Sequence, residues 1–325
     1  MNQSLFESNF INKQHICEYF GNVVLLATDY LGETVLIFCN GEILTYQLIQ
    51  QKQWVNTSLL KVTPQPEILS LNDYRLQLSG NGRKFFLLQV DDRHEFNVSI
   101  WHRGHKAKWI FQQSLKLISH SSFMSINLSG DALMIRQSNR IILWEFNQPQ
   151  TKIARRQSLP FETYLAYFNE NNNVIAAKVK NSVALLKKLN CMWVKYQNIK
   201  TEQVAYMQFY KNKLIIMSHF LQIYKMNEQL HFQLDKKINS KFFNNEPQFC
   251  LYMGSIVLAQ LSSQDLEYHK LENNVWLQDE EYITGRFEAQ QIVQSKDKKK
   301  LFFYRKRFGG IVFEKKNKIK QKIQE

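Results

Sequence analysis

His94, His102 and His105 fall in one short stretch, and clustered imidazoles are the first place to look for a metal site. Zinc sites add Cys or carboxylate ligands at short spacing, and the His102–His105 pair has none beside it. Both sit where a strand runs into a turn, and they read as solvated loop residues. Asp279-Glu280-Glu281 concentrates carboxylates, but neighbours along the chain do not face each other as an acid–base pair must. Gly80-Asn81-Gly82 is glycine-rich, yet it reads as a hairpin turn with no helix behind it to receive a phosphate. Cys17, Cys39, Cys191 and Cys250 lie far apart without a CxxC pair. They read as buried free thiols in a reducing compartment. The chain has no GxSxG, HExxH, Walker-type or kinase signature. The expectation is therefore no catalysis, no metal and no cofactor.

The remaining chemistry is electrostatic. The formal net charge is +14, and residues 296–325 hold twelve Lys/Arg against three acids. Lys298, Lys299 and Lys300 stand in one turn of this region, and Arg305, Lys306 and Arg307 in the next. Lys315 and Lys316 open the tail. These eight residues are the candidate partner-binding set, suited to an acidic protein surface, RNA or an anionic membrane. The two turns lie at opposite ends of one strand, so they face opposite sides. Phe302, Phe303, Tyr304 and Phe308 stand among the charges, a mixture suited to stacking on single strands. Alternate strand positions face neighbouring sheets, however, so most of these rings read as core. In the tail only Ile319 and Ile323 are apolar, a stripe too thin for firm membrane insertion.

The elements that carry these residues are short strands in repeating units. The clearest unit reads FMSINL, a Ser129-Gly130-Asp131 turn, ALMIR, a second turn and RIILWEF. Strands of this length between polar turns are an all-β signature. Seven such units have third strands closing at Tyr46, Trp101, Trp144, Leu186, Tyr224, Tyr268 and Phe313. Their steps are close to the 40–45 residues or so of a four-stranded propeller blade. The long first step has an inserted loop around Thr63-Pro64-Gln65-Pro66. A second marker follows seven or eight residues later, at Trp54, Trp109, Trp193, Phe232 and Trp276; Lys152 stands there after Trp144. The first marker suits a wedge between neighbouring sheets, and the second would cover the wider gap at the rim.

Ser129-Gly130-Asp131 through Leu143-Trp144, and Ser79-Gly80 through Ile100-Trp101, resemble the WD-repeat family, with His120 near the place of its Gly-His pair. His102 and Glu145 stand where the family has Asp after the tryptophan, so its buried Asp-His-Ser-Trp network is mostly missing. Arg307-Phe308-Gly309-Gly310 likewise departs from the Phe-Arg-Arg-Gly motif of phosphoinositide-binding propellers. The resemblance implies an all-β fold: a seven-bladed β-propeller over residues 1–314, closed by an N-terminal strand, with a basic tail at 315–325. Residues 4–12 are expected to complete the last blade beside 311–315.

No apolar run is long enough to span a membrane, and the N-terminus lacks the charged start and apolar block of a secretory signal. The expected role is a non-catalytic protein–protein interaction scaffold, a subunit of a larger assembly, in the cytoplasm or the nucleus. The alternative is a subunit of an RNA-containing particle that binds through residues 296–325.

Overall fold

The computed structural model describes residues 10–17, 24–39, 41–50, 53–62, 74–90, 96–117, 121, 123–147, 153–201, 204, 206–218, 220–239, 249–252, 256–260, 266–272, 275–278, 289–295, 300–305 and 309–315. The strands begin with β1 (Phe10–Cys17). Sheet 1 contains β2 (Val24–Thr28), β3 (Thr34–Cys39), β4 (Glu42–Ile49) and β5 (Gln53–Lys61). Sheet 2 contains β6 (Arg75–Leu78), β7 (Lys84–Val90), β8 (Phe96–Arg103) and β9 (Trp109–Lys116). Sheet 3 contains β10 (Met124–Ile126), β11 (Ala132–Gln137), β12 (Arg140–Phe146) and β13 (Ile153–Ser158). Sheet 4 contains β14 (Ala166–Phe168), β15 (Val174–Val179), β16 (Ser182–Leu189) and β17 (Met192–Lys200). Sheet 5 contains β18 (Tyr206–Tyr210), β19 (Lys213–Met217), β20 (Phe220–Met226) and β21 (Phe232–Asn239). Sheet 6 contains β22 (Phe249–Tyr252), β23 (Ile256–Gln260), β24 (Leu266–Glu272) and β25 (Val275–Gln278). Sheet 7 contains β26 (Ala289–Gln294), β27 (Lys300–Arg305) and β28 (Gly309–Lys315), with β1 as its fourth strand.

Sheets 1 to 6 are antiparallel meanders, the local solution that short polar turns favour, and sheet 7 is a three-stranded meander completed by β1. First strands meet first strands: β2 touches β26 and β6, β10 touches β6 and β14, and β18 touches β14 and β22. The β1–β28 pairing sets Phe10 opposite Lys315 and His15 opposite Ile311. This strand lies later in the chain than the expected 4–12; residues 4–9 fall outside the described residues.

Second strands show why the units read as unbroken apolar runs. In β3, Val35 and Ile37 pack into the core shared with sheet 7, where they meet Ile16 and Phe302. Their neighbours Leu36 and Phe38 pack toward sheet 2, with Leu76 and Phe85. In β7, Phe85 and Leu87 face sheet 1, whereas Phe86 and Leu88 face sheet 3. β11 and β15 repeat the pattern. A strand buried on both sides loses the polar half of its alternation.

The third-strand marker is the wedge that the sequence implies. Tyr46, Trp144, Leu186 and Tyr224 are buried, each in the core shared with the preceding sheet. A bulge against the fourth strand falls at the marker itself in four sheets, before Tyr46, Trp101, Leu186 and Tyr224. Bulges raise local twist, which turns each sheet relative to the next. The second marker pairs two residues past the first: Trp54 opposite Leu48, Trp109 opposite Arg103, Trp193 opposite Lys188 and Phe232 opposite Met226. In sheet 3 the residue in that register is Ile153, opposite Phe146, and not Lys152 as counted from the sequence. Ile153 is 47% exposed, whereas Trp193 is 3% exposed, so the rim of sheet 3 lacks its aromatic cover.

Candidate binding face

Five of the turns between first and second strands share one device. Each opens on a small polar residue whose backbone N–H donates to the residue five positions on: Asp29, Ser79, Asn127, Asn169 and Ser295. Its side-chain oxygen accepts from the far end of the turn. Asp29 Oδ1 takes Glu33 N–H at 2.8 Å, and Ser79 Oγ takes Lys84 N–H at 2.9 Å. Asn127 and Asn169 each take two N–H groups, and Ser295 Oγ takes Lys300 N–H at 3.0 Å. Three residue types serve because all that is needed is a short side chain with an acceptor.

These turns are tied to one another. Tyr30 N–H donates to the Gly80 carbonyl at 2.8 Å, and Gly80 N–H to the Leu128 carbonyl at 2.7 Å. Leu128 N–H reaches Asn172 Oδ1, and Lys211 N–H reaches Glu170 Oε1. Lys300 Nζ donates to the Gly32 carbonyl at 3.2 Å. One belt thus runs from sheet 7 through sheets 1 to 5 and fixes those turns on one side, the belt face. Gly32 (φ +63°) sits close against sheet 7, since a Cβ there would meet Ser295 Cβ at 3.0 Å and Phe302 at 3.1 Å.

Farther out, glutamines join the sheets. Gln157 Nε2 donates to the Trp193 carbonyl at 2.8 Å, and Trp193 N–H donates back to Gln157 Oε1 at 3.0 Å. Gln197 makes the same two bonds to Phe232. A side-chain amide here replaces a strand partner for the second-marker residue. The marker indoles reach back too. Trp109 Nε1 donates to Thr45 Oγ1 at 2.8 Å, and Trp193 Nε1 to Glu145 Oε1 at 3.1 Å. Glu145 also pairs with Lys188 at 2.8 Å. The residue that breaks the family's Trp-Asp pair is therefore a tie between sheets 3 and 4.

The expected partner-binding residues divide as their spacing implies. Lys300 pairs with Glu314 and Arg305 with Gly309, so the two lie at opposite ends of β27. Lys315 ends β28 on the Lys300 side. Lys300 is committed to the belt through Gly32 and Ser295. Lys298, Lys299, Lys306, Arg307 and Lys316 fall outside the described residues, as do Asp279-Glu280-Glu281 and the tail. Phe302 is core, 1% exposed and edge-on to Trp54 at 5.9 Å.

The thiols need a correction. Cys39 is buried, and burial with nearby Glu42 pushes it up to about 11. Cys191 is exposed, because Asn190 and Cys191 form a two-residue hairpin loop with positive φ at both positions (45° and 67°). Such a loop projects from the sheet and has no interior. His105 is exposed in a single 3-10 turn, while His102 Nδ1 is buried without a partner. Among the described residues no three His, Cys, Asp or Glu come together in a way that could hold a metal ion.

The face opposite the belt gathers cations that sequence reading missed. Fourth strands end there at Lys61, Lys116 and Lys200, and Lys236–Lys237 stand near the end of β21. The hairpins between second and third strands add Arg136, Arg140, Lys178 and Lys180. Described acids on this face are Glu42, Glu162 and, near the start of β24, Glu267. On the belt face, Asp29, Glu33, Asp131, Glu145, Glu170 and Glu228 offset the cations. The signal was recoverable: in sheets 1 to 5 cations stand where a second or a fourth strand ends, a phase visible only once strand direction is assigned.

A groove of about 940 Å³ opens on this face between sheets 4 and 5. Lys180, Lys200 and Lys237 bring charge to it, and Asn181, Asn198 and Gln222 bring amides. Gln222 Oε1 accepts from Thr201 Oγ1 at 3.2 Å, fixing the floor. Lys237 Nζ stands 3.8 Å from the centre of the Phe220 ring. Among the described residues none of the three lysines has a carboxylate partner.

No known family matches the sequence, and no curated protein resembles it. Solved structures do. The β-propeller domain of Myceliophteria thermophila Cps50 (Swd1) covers 94% of this chain and 100% of its own, with a TM-score of 0.67 at 9% identity. A protein of unknown function from Desulfotomaculum acetoxidans gives 0.60 at 11% identity, covering 81% of this chain and 85% of its own. The periplasmic gluconolactonase PpgL of Pseudomonas aeruginosa gives 0.57 at 11%, covering 80% and 85%. At these identities the likeness shows the fold alone: this chain is a β-propeller. Among the described residues no helix is long and apolar enough to cross a membrane.

Proposed function

We propose that the chain is a non-catalytic protein–protein interaction scaffold of the WD-repeat type and a subunit of a larger intracellular assembly. Its seven sheets are read as the blades of one ring spanning residues 1–314, closed through β1 and β28. The observation that carries the reading is the division of labour between the two faces. The belt consumes the polar groups of one face to join sheets, while the other gathers cations, among them the exposed Arg140, Lys180 and Lys200. Charge displayed on a fixed frame selects and steers a partner. On this reading the basic region of the last sheet, Lys298, Lys299, Lys300, Arg305, Lys306, Arg307, Lys315 and Lys316, adds to that steering.

The test is affinity purification of the full chain from its own cells, with and without nuclease, followed by size-exclusion chromatography. The expected result is a nuclease-resistant complex with protein partners in fixed stoichiometry. A partner set that vanishes with nuclease would replace the scaffold with an RNA-particle subunit, whose binding would weaken steeply with salt. A chain that elutes alone and free of partners would overturn both.

A further inference from the structure

We infer that the groove between sheets 4 and 5 is a docking site for an acidic peptide segment of a partner protein. This goes beyond the scaffold reading by naming a site and the chemistry of its occupant, and it puts the contact away from the last sheet.

The argument starts from charge. Lys180 lies in the β15–β16 hairpin, Lys200 ends β17, and Lys237 lies near the end of β21. Three separate elements thus converge on one cavity with a cation each, and among the described residues no acid lines it. Like charges gathered without a counter-charge repel, so an anion entering the groove gains from all three at once. The walls are built rather than accidental. Thr201 N–H donates to the Asn181 carbonyl at 3.3 Å, and Thr201 Oγ1 ties to Gln222. The Gln197–Phe232 bonds lock sheets 4 and 5 together nearby.

The polar groups distinguish a peptide from a nucleic acid. A peptide backbone presents both N–H donors and carbonyl acceptors, and the exposed amides of Asn181 and Asn198 can meet both. A phosphodiester backbone presents acceptors only, and single strands are held by stacking bases on aromatic faces. Among the described residues Phe220 is the one aromatic side chain lining the groove, and Lys237 Nζ already stands over its ring. The volume, about 940 Å³, suits a short segment of extended chain.

The experiment is fluorescence anisotropy of the full chain with three labelled probes: a short Glu-rich peptide, its Gln-substituted counterpart, and single-stranded oligothymidine. The variants are Lys180→Glu/Lys200→Glu/Lys237→Glu, the three single Lys→Gln changes, and Lys225→Glu toward the belt side as a control. Circular dichroism checks folding, and the single variants carry the test if the triple one unfolds. The Glu-rich peptide should bind with an affinity that falls as salt rises and drops about tenfold or more in the triple variant, about 1.4 kcal/mol or more. Each single Lys→Gln change should weaken it severalfold, and Lys225→Glu should leave it unchanged. Tighter binding of oligothymidine through the same lysines would overturn the inference in favour of a nucleic-acid face. Equal binding of the Glu and Gln peptides, no binding of either, or indifference to all groove variants would also overturn it. A stoichiometric protein complex in the purification above, insensitive to the groove variants, would sink the groove and leave the scaffold standing.

Discussion

Where first and second strands join, hydrogen bonds pass from sheet to sheet. At the other end, sheets 4 and 5 part around an open groove. The same polar residue types serve both ends, but their partners differ. Asn127 and Asn169 each satisfy two backbone N–H groups within a turn. Asn181 and Asn198 hold their side chains exposed at the groove. Lys300 is spent on the Gly32 carbonyl, while Lys180 has no carboxylate beside it among the described residues. One end of the molecule uses its polarity for cohesion, and the other keeps it available.

The largest break in this contrast comes from removing residues 1–17. Sheet 7 would lose β1, and β28 would become an unpaired edge next to the strand that supplies Lys300 to the belt. The melting temperature should fall further than for any point variant below. A truncated chain melting like the full one would show that β1 does not hold the ring.

Next come the glutamine clamps. Gln157→Leu orphans the N–H and carbonyl of Trp193, and Gln197→Leu those of Phe232. Each orphaned group costs about 1–3 kcal/mol if water cannot replace the partner. Urea unfolding should show both losses, with the double variant close to additive because the two clamps lie at different interfaces. A loss well below 1 kcal/mol would mean that solvent already reaches these backbones.

Gly32→Ala tests the belt where sheet 1 meets sheet 7. The positive φ costs about 1–2 kcal/mol. The contacts at 3.0–3.1 Å with Ser295, Lys300 and Phe302 add strain, about 1–3 kcal/mol for an overpacked site. Gly82→Ala is the matched control. Its φ is +66°, but its nearest contacts, at 3.3 and 3.4 Å, are side-chain oxygens of Asp29 and Thr34. Gly32→Ala should cost more, and equal losses in thermal melts would reduce the belt at Gly32 to a local turn.

What the sequence disclosed follows from which physical demands are exclusive. A wedge between sheets calls for bulk, so rare aromatics such as Trp144 and Trp193 stand out at their phase. An acceptor at the start of a turn can be Asp, Ser or Asn, so Asp29, Asn127 and Asn169 share a position but no letter. They stand seventeen residues ahead of Tyr46, Trp144 and Leu186, a regularity visible only to a search by chemistry. The Gln clamp escaped because Gln157 and Gln197 act on backbone atoms of the next sheet. The groove escaped because Lys180, Lys200 and Lys237 belong to three elements that only the fold brings together, whereas Lys298–Lys300 advertise themselves by adjacency. Lys152 was misplaced because counting residues cannot see that the connection to β13 takes one residue more.

The smallest effect is also the sharpest test of how the belt turns work. Asp29 does with a carboxylate what Asn127 and Asn169 do with a neutral amide. Burial raises its pKa above the ordinary carboxylate value, outweighing the Glu33 and Thr34 hydrogen bonds that oppose the shift. A carboxyl raised on folding is penalised when ionised, so its cost is absent below the unfolded pKa of about 4 and grows as pH rises through the higher folded value. Asp29→Asn keeps an acceptor for Glu33 N–H and removes the charge. The variant should match the parent near pH 4 and become more stable than it toward neutral pH. Asp29→Ala should be less stable at every pH, by about 1–2 kcal/mol for the lost acceptor. Urea midpoints across this range decide it. If Asp29→Asn falls below the parent at neutral pH, the Arg103 charge that Asp29 faces outweighs desolvation, and this turn is held by an ionic contact that the asparagine turns do without.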